Sequence, residues 1–256
     1  MIDIIKMRLS QGRRTIGFPK TAPVLPDRFR GLPRLDSSKC GKDCADCVET
    51  CPVDAITLAN GSEAGLRKPH IDLGRCLFCG ACQRECAGGA ITFTQEYSLA
   101  ARKRGNLVIN GKVFEKAEAL EKSIRKIFKR SLKLRQVSAG GCNGCEVDIN
   151  VLGTTVFDLG RFGIQIVASP RHADALIVTG AVSENMRLGL LKTFKATPAP
   201  KLVIAVGACA ISGGIFRGNP QIRNGVEGLL PIDLYIPGCP PHPITILDGL
   251  LRLLDR

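Results

Sequence analysis

The chemistry of this chain is carried by its twelve cysteines. Eight of them fall in two runs, Cys40, Cys44, Cys47 and Cys51 followed by Pro52, then Cys76, Cys79, Cys82 and Cys86. A shift of 35 residues places Cys44, Cys47 and Cys51 on Cys79, Cys82 and Cys86, and Ala55-Ile56-Thr57 on Ala90-Ile91-Thr92. Only the first cysteine slips, because Cys40 stands four positions before Cys44 and Cys76 three before Cys79. Three closely spaced thiolates can wrap three iron corners of an iron–sulfur cube, while a fourth, pointing away, reaches a neighbouring one. Paired zinc sites are the plainer alternative, since zinc also takes Cys-x2-Cys. Tetrahedral zinc uses two short pairs, however, and has no need of a repeated three-plus-one run.

The spacing C-x2-C-x2-C-x3-C-P resembles that of bacterial ferredoxins with two [4Fe–4S] clusters. On that pattern one cluster takes Cys40, Cys44, Cys47 and Cys86, and the other Cys76, Cys79, Cys82 and Cys51. Two departures stand out: the extra residue after Cys40, which widens a ligand loop, and Ala87 in place of a proline beside Cys86. Either can shift a reduction potential through hydrogen bonding or solvent exposure, and neither removes a ligand.

Cysteines in cluster-type spacing imply a reducing compartment and not a disulfide scaffold. The net charge of +13 is unevenly spread. Residues 1–35 carry 8 basic and 2 acidic side chains, residues 36–100 carry 6 and 9, and residues 101–135 carry 12 and 3. The basicity therefore belongs to two arms that flank a net-acidic unit. No apolar run approaches the ~20 residues of a membrane span. Arg13-Arg14 is followed by Gly17-Phe18-Pro19-Lys20 in place of an apolar stretch, which argues against twin-arginine export. Nucleic-acid binding is disfavoured, because no recognised motif accompanies the charge and aromatics are only 5%.

The elements that must position the thiols follow in chain order. Residues 1–14 read as a short helix with a mixed face that needs support. Pro19, Pro23, Pro26 and Pro33 make an extended connector, either a strap along a partner subunit or a disordered linker. Residues 36–100 form the cysteine-repeat unit, and residues 101–132 a basic amphipathic connector. Within the latter, Phe114, Ala117, Leu120, Ile124, Ile127 and Phe128 recur at helical spacing over Lys112–Lys133, as in a surface- or partner-docking helix. A solvated face on an ordinary connecting helix is the alternative.

From residue 133 to 256, short apolar runs alternate with helix-length segments. Runs at 134–138, 163–168, 175–180, 201–207 and 233–237 read as strands, and 146–160, 183–195 and 243–254 as helices. The pattern predicts an open, doubly wound, flavodoxin-like parallel sheet, whose ligand crevice lies at the carboxyl ends of the strands. The remaining cysteines fall in three of those loops: Cys142 and Cys145, Cys209, and Cys239. Four thiols suffice for a third [4Fe–4S] cluster, and eight plus four accounts for every cysteine, so no histidine is needed as a ligand.

Cys142-Asn-Gly-Cys145-Glu146, Gly207-Ala-Cys-Ala-Ile-Ser-Gly-Gly214 and Pro237-Gly-Cys-Pro-Pro241, with Ser169-Pro-Arg-His-Ala-Asp174 and Val178-Thr-Gly180, carry a wider likeness. Over about residues 133–256 the chain resembles the small subunit of membrane-bound, energy-converting [NiFe]-hydrogenases of the formate hydrogenlyase type. It is more distantly similar to the cluster-bearing complex I subunit beside the quinone site, whose first loop has adjacent cysteines where this chain has Cys-x2-Cys. The front part resembles the two-cluster ferredoxin subunits of the same complexes, here fused to the α/β unit. The resemblance implies an electron-relay subunit with no complete catalytic centre of its own. The cluster of Cys142, Cys145, Cys209 and Cys239 would lie nearest the active centre of a hydrogenase-type large subunit. Membrane-arm proteins and an electron donor or acceptor protein would be further partners, on the cytoplasmic face of the membrane. A complex I-like, quinone-linked relay is the alternative in this class; a zinc-stapled binding protein and a soluble two-domain carrier are alternatives outside it. Glu146 would stand near the terminal cluster, as a proton-handling carboxylate or as a helix-start residue favoured by the dipole. His172 and Asp174 are expected in an ordinary interface or core role.

Overall fold

The computed structural model describes residues 2–41, 44–60, 67–128 and 131–256. The widened first ligand loop expected between Cys40 and Cys44 has Lys42 and Asp43 outside the described residues, as are Lys129 and Arg130 of the basic connector.

The chain begins with helix α1 (Ile2–Gln11), none of whose side chains is buried. The cysteine-repeat unit holds β1 (Pro33–Leu35), α2 (Asp46–Glu49), β2 (Ile56–Asn60), β3 (Arg67–Asp72), α3 (Ala81–Glu85) and β4 (Ile91–Phe93). The sequence repeat is also a structural one. α2 and α3 occupy matching positions, each with its middle thiol, Cys47 or Cys82, turned inward. Antiparallel β1–β4 pairs Leu35 with Ile91, and antiparallel β2–β3 pairs Ile71 with Ile56. Leu35 and Ile71 are thus related by 36 residues, but Ile56 and Ile91 by 35. In the sequence the single extra residue falls between Cys40 and Cys44, and the strand pairings before and after it correspond.

Two differences from the sequence reading concern the connectors. Among the described residues, the segment expected as one helix over Lys112–Lys133 holds the short helix α4 (Lys122–Phe128) and the start of a strand at Leu132, and upstream of it β5 (Val108–Ile109) extends the β2–β3 sheet by pairing Ile109 with Ile71. Between them the backbone amides are committed elsewhere: Ala117 N–H donates to Ala100 O (2.7 Å) and Leu120 N–H to Leu253 O (3.0 Å). Ala117, Leu120 and Phe128 are buried all the same, in the core beneath the sheet. Apolar residues at helical spacing predict a helix face; here tertiary hydrogen bonds override the local preference.

The proline-rich connector is a strap, but it lies on this chain's own units. Ile16 N–H donates to Val156 O (3.0 Å), and the Thr15 hydroxyl to Thr155 O (2.8 Å). Phe18 is buried edge-on against Tyr97, and its carbonyl accepts from Arg161 (2.8 Å).

The second unit holds β6 (Leu132–Ser138), α5 (Gly144–Val151), β7 (Ile164–Ile166), β8 (Ala175–Thr179), α6 (Glu184–Ala196), β9 (Leu202–Val206), α7 (Ala208–Ser212), β10 (Leu234–Ile236) and α8 (Pro243–Leu254). The five strands are parallel in the order β10-β9-β8-β6-β7, the doubly wound flavodoxin-like arrangement, with its switch point between β6 and β8. Near-continuous Val, Ile and Leu in β8 and β9 fit strands buried on both faces. One face packs Leu134, Ile177 and Ile204 against α5 and α8. The other, with Leu176, Val178 and Val203, runs into the same core as Ile71, Leu73 and Leu107 of the repeat unit.

Candidate metal centres

The fold gathers the twelve thiols into three sets. Cys40, Cys44, Cys47 and Cys86 line one cavity of about 230 Å³, and Cys51, Cys76, Cys79 and Cys82 line another. Burial pushes the Cys47 thiol up to about 11, and the charges of Cys40, Cys44 and Cys86 add to it. Burial likewise raises Cys76 to about 12 and Cys82 to about 11, reinforced by Cys51 and Cys79. Thiolates gathered this closely repel one another, so a bound cationic group is what would hold them ionised together. Backbone amides already point at the sulfurs. Ala55 N–H donates to Cys51 Sγ (3.3 Å) and, at the matching repeat position, Ala90 N–H to Cys86 Sγ (3.2 Å). Phe78 N–H donates to Cys76 Sγ (3.3 Å). Among the described residues no three His, Cys, Asp or Glu close around a single ion. Thiols ringing a cavity, with N–H groups aimed at sulfur, suit a four-iron group.

The third set comes from the carboxyl ends of β6, β9 and β10. Burial raises the Cys145 thiol well above its usual range, with Cys209, Glu146, Cys239 and Cys142 adding to the rise. Burial brings Cys209 to about 11, with Cys239 and Cys142 contributing. The room is made by glycine. At Gly207 (φ +90°) a methyl group would stand 2.5 Å from Cys145 Sγ, and at Gly214 (φ +55°) one would stand 2.7 Å from Cys209 Sγ.

Glu146 lies in the first turn of α5 and is buried beside this set; its Oε1 accepts from the hydroxyls of Ser138 (2.6 Å) and Thr179 (2.7 Å). Both hydroxyls escaped the sequence reading, although Thr179 belongs to the Val178-Thr-Gly180 signature and Ser138 ends the strand before the first loop. The Ser169–Asp174 motif lies at the opposite end of the sheet. Asp174 accepts from Lys133 N–H (2.7 Å) and joins the starts of β8 and β6, while His172 is exposed.

The sets adjoin one another, the first to the second and the second to the third. Cys82 of the second feels Cys47 of the first, and Cys239 of the third feels Cys79 of the second. The two units are fastened at this junction. The Ser212 hydroxyl, on the helix that carries Cys209, donates to Gly74 O (2.9 Å), two residues before Cys76. Arg104 grips Asp72 through two hydrogen bonds (2.8 and 2.6 Å) and reaches Glu227 (3.9 Å). Ala101 and Tyr235 exchange backbone hydrogen bonds (3.0 and 2.9 Å).

A ferredoxin-like repeat joined to a flavodoxin-like sheet, with thiols in the loops of both, defines an iron–sulfur subunit of the oxidoreductase-complex class. Comparison with known proteins agrees. Residues 39–90 match the family model of the 4Fe-4S dicluster domain, and residues 142–253 that of the NADH ubiquinone oxidoreductase 20 Kd subunit. The probable membrane-bound hydrogenase subunit mbhJ of Pyrococcus furiosus is 40% identical over 140 residues, 54% of this chain and 84% of that one. Formate hydrogenlyase subunit 7 of Escherichia coli is 42% identical over 156 residues, and the match spans 61% of each chain. An NADH-quinone oxidoreductase subunit of Citrifermentans bemidjiense is 46% identical over 113 residues, 44% of this chain and 65% of that one. Among solved structures, a chain of an archaeal membrane-bound sulfane sulfur reductase aligns at 33% identity with a TM-score of 0.46, covering 53% of this chain and 75% of that one. The chain belongs to the NADH ubiquinone oxidoreductase 20 Kd subunit family, in a form that also carries a 4Fe-4S dicluster domain.

Proposed function

We propose that this chain is the electron-relay subunit of a membrane-associated oxidoreductase complex and holds three [4Fe–4S] clusters. The first would sit on Cys40, Cys44, Cys47 and Cys86, the second on Cys51, Cys76, Cys79 and Cys82, and the third on Cys142, Cys145, Cys209 and Cys239. The observation that carries this reading is the grouping of the thiols: Cys40, Cys44, Cys47 and Cys86 around one cavity, Cys51, Cys76, Cys79 and Cys82 around another, and Phe78, next to Cys79, lining with Cys239 the cavity between the second and third sets. When bound, the clusters would supply one-electron chemistry. The chain's own residues hold them in order, bury one thiol or more of each set, and offset thiolate charge through the Ala55, Phe78 and Ala90 amides. Ser138 and Thr179 fix Glu146 beside the last set, and no substrate-converting centre is assigned to this chain.

The likeness to formate hydrogenlyase and membrane-bound hydrogenase subunits favours a [NiFe]-hydrogenase-type large subunit as the partner at the third set. The likeness to an NADH-quinone oxidoreductase subunit supports a second reading, a quinone-linked relay without hydrogenase activity. No helix among the described residues is long and apolar enough to cross a membrane. Attachment is therefore assigned to partner subunits and to the arms, where exposed Ile2, Ile5 and Leu9 on α1 accompany Lys6, Arg8, Arg13 and Arg14, on the cytoplasmic face with its anionic lipid. Anaerobic iron and acid-labile sulfide analysis tests the count, with about twelve of each per chain expected. About eight of each would remove the third cluster, and zinc without sulfide would overturn the whole reading. The copurifying large subunit separates the hydrogenase reading from the quinone reading.

A further inference from the structure

The strap that descends from α1 crosses the seam between the second and third thiol sets and touches a loop of each. Its path is fixed by backbone contacts. Phe29 N–H closes a turn onto Pro26 O (2.8 Å), Gly31 N–H donates to Thr94 O (2.7 Å), and Leu32 N–H to Glu96 O (2.9 Å). Gly31 passes so close to the Glu96 backbone that any side chain there would overlap its carbonyl. The Phe29 ring meets His242 edge-on at 5.5 Å, and His242 follows Cys239 by three residues and caps α8 through Ile244 N–H (3.2 Å). The next residue, Arg30, turns the other way. Its guanidinium donates to Phe78 O (3.1 Å), and its Nε lies 2.8 Å from where a methyl on Gly80 would stand. Phe78 and Gly80 flank Cys79.

Adjacent strap residues therefore grip the two loops whose thiols, Cys79 and Cys239, interact across the units. Both loops are irregular backbone, with Phe78 at φ +54°, Gly80 at +74° and Gly238 at +150°. No strand ladder sets their separation; side-chain contacts must. A cavity of about 300 Å³ separates them and is lined by Arg28, Phe29, Arg30, Phe78, Cys239 and His242. Space of that size lets the loops part or close unless something spans it.

We propose that Phe29 and Arg30 form a clamp that sets the spacing between the second and third cluster sites, and are positioning residues for electron transfer between them. The proposal rests on reading each four-thiol set as a cluster site. Neither residue is a ligand, and the Ser212–Gly74 and Arg104–Glu227 contacts fasten the units without spanning the two loop tips.

The test uses the full chain in its purified, cluster-loaded complex, comparing the Phe29→Ala/Arg30→Gln double variant with unsubstituted protein. Iron and sulfide should be unchanged. EPR of the dithionite-reduced protein should show weaker spin–spin interaction between the second and third clusters. Freeze-quench reduction of the third cluster after the second should slow by about tenfold or more. Arg28→Gln removes the same charge from the same turn and should leave both readouts unchanged; an equal loss there would replace the clamp by simple electrostatics. Unaltered coupling and rate in the double variant would overturn the clamp, and so would loss of a cluster, which would make the two residues supports of one site. Arg30→Lys keeps the charge but lacks the planar fork, and should give a partial loss of coupling and rate with full cluster content. Fewer clusters in the unsubstituted protein would overturn the relay reading itself, a result separable from all of these.

Discussion

In the repeat unit, eight thiols come from the single stretch Cys40–Cys86, most of them on or beside the short helices α2 and α3. In the α/β unit, four thiols come from three loops spread over Cys142–Cys239, brought together only because β6, β9 and β10 end on the same edge of one sheet. The first arrangement is local and made twice, so the chain carries its instructions in spacing. The second is non-local and depends on β8, which supplies no thiol but separates β6 from β9. A local site can assemble with its own short helices, whereas a distributed site requires the whole sheet. Mutations should therefore separate the two regions cleanly.

The largest effect is expected at Cys239. Cys239→Ser should abolish the third cluster while leaving the eight-thiol unit loaded, so the chain accepts electrons from an external reductant but turnover of the complex falls by more than about 100-fold. EPR of the reduced variant alongside complex activity measures this. Normal turnover without the third cluster would place the α/β unit off the electron path. Its mirror, Cys82→Ser, should remove the second cluster and weaken the first, whose thiol Cys47 lies beside it, and leave the third in place; iron analysis with EPR reads the outcome. If the third were lost as well, the two regions would assemble as one.

Gly207→Ala should come next. The methyl would press on Cys145 Sγ, and a left-handed φ costs a residue with a side chain about 1–3 kcal/mol. The third cluster should be depleted or labile to oxygen with the first two unchanged, whereas full retention would mean that the loop relaxes. Thr179→Val is subtler. It removes one of two hydroxyls on a buried carboxylate, a loss of about 1–3 kcal/mol at that site. Thermal stability should drop and the third cluster's potential shift, with the repeat unit unaffected; an unshifted potential would reduce Glu146 to a packing role. The smallest effect on any cluster is expected from deletion of residues 1–14. Cluster content should stay unchanged, while binding to anionic vesicles weakens in a salt-sensitive way, by about 1 kcal/mol for each lost cation near the surface. Equal vesicle binding after deletion would reassign α1.

Much of this molecule was legible in one dimension because its signals are local. The Cys-x2-Cys runs, the 35-residue repeat, the apolar runs of β8 and β9, and the limits of α8 at Pro243 and Leu254 all depend on residues a few positions apart. Three features were decided only in three dimensions. The stretch before α4 has helical spacing but no helix, because Ala117 and Leu120 give their amides to Ala100 and Leu253. The proline-rich strap lies along this chain's own units, because Phe18 finds a buried place beside Tyr97 and Arg161. The adjacency of Cys79 to Cys239, with Phe29 and Arg30 across the gap, was invisible in the sequence: it joins residues from three distant segments. Short-range covalent spacing determines which thiols can share a site, and the packing of one unit on the other determines how near those sites stand.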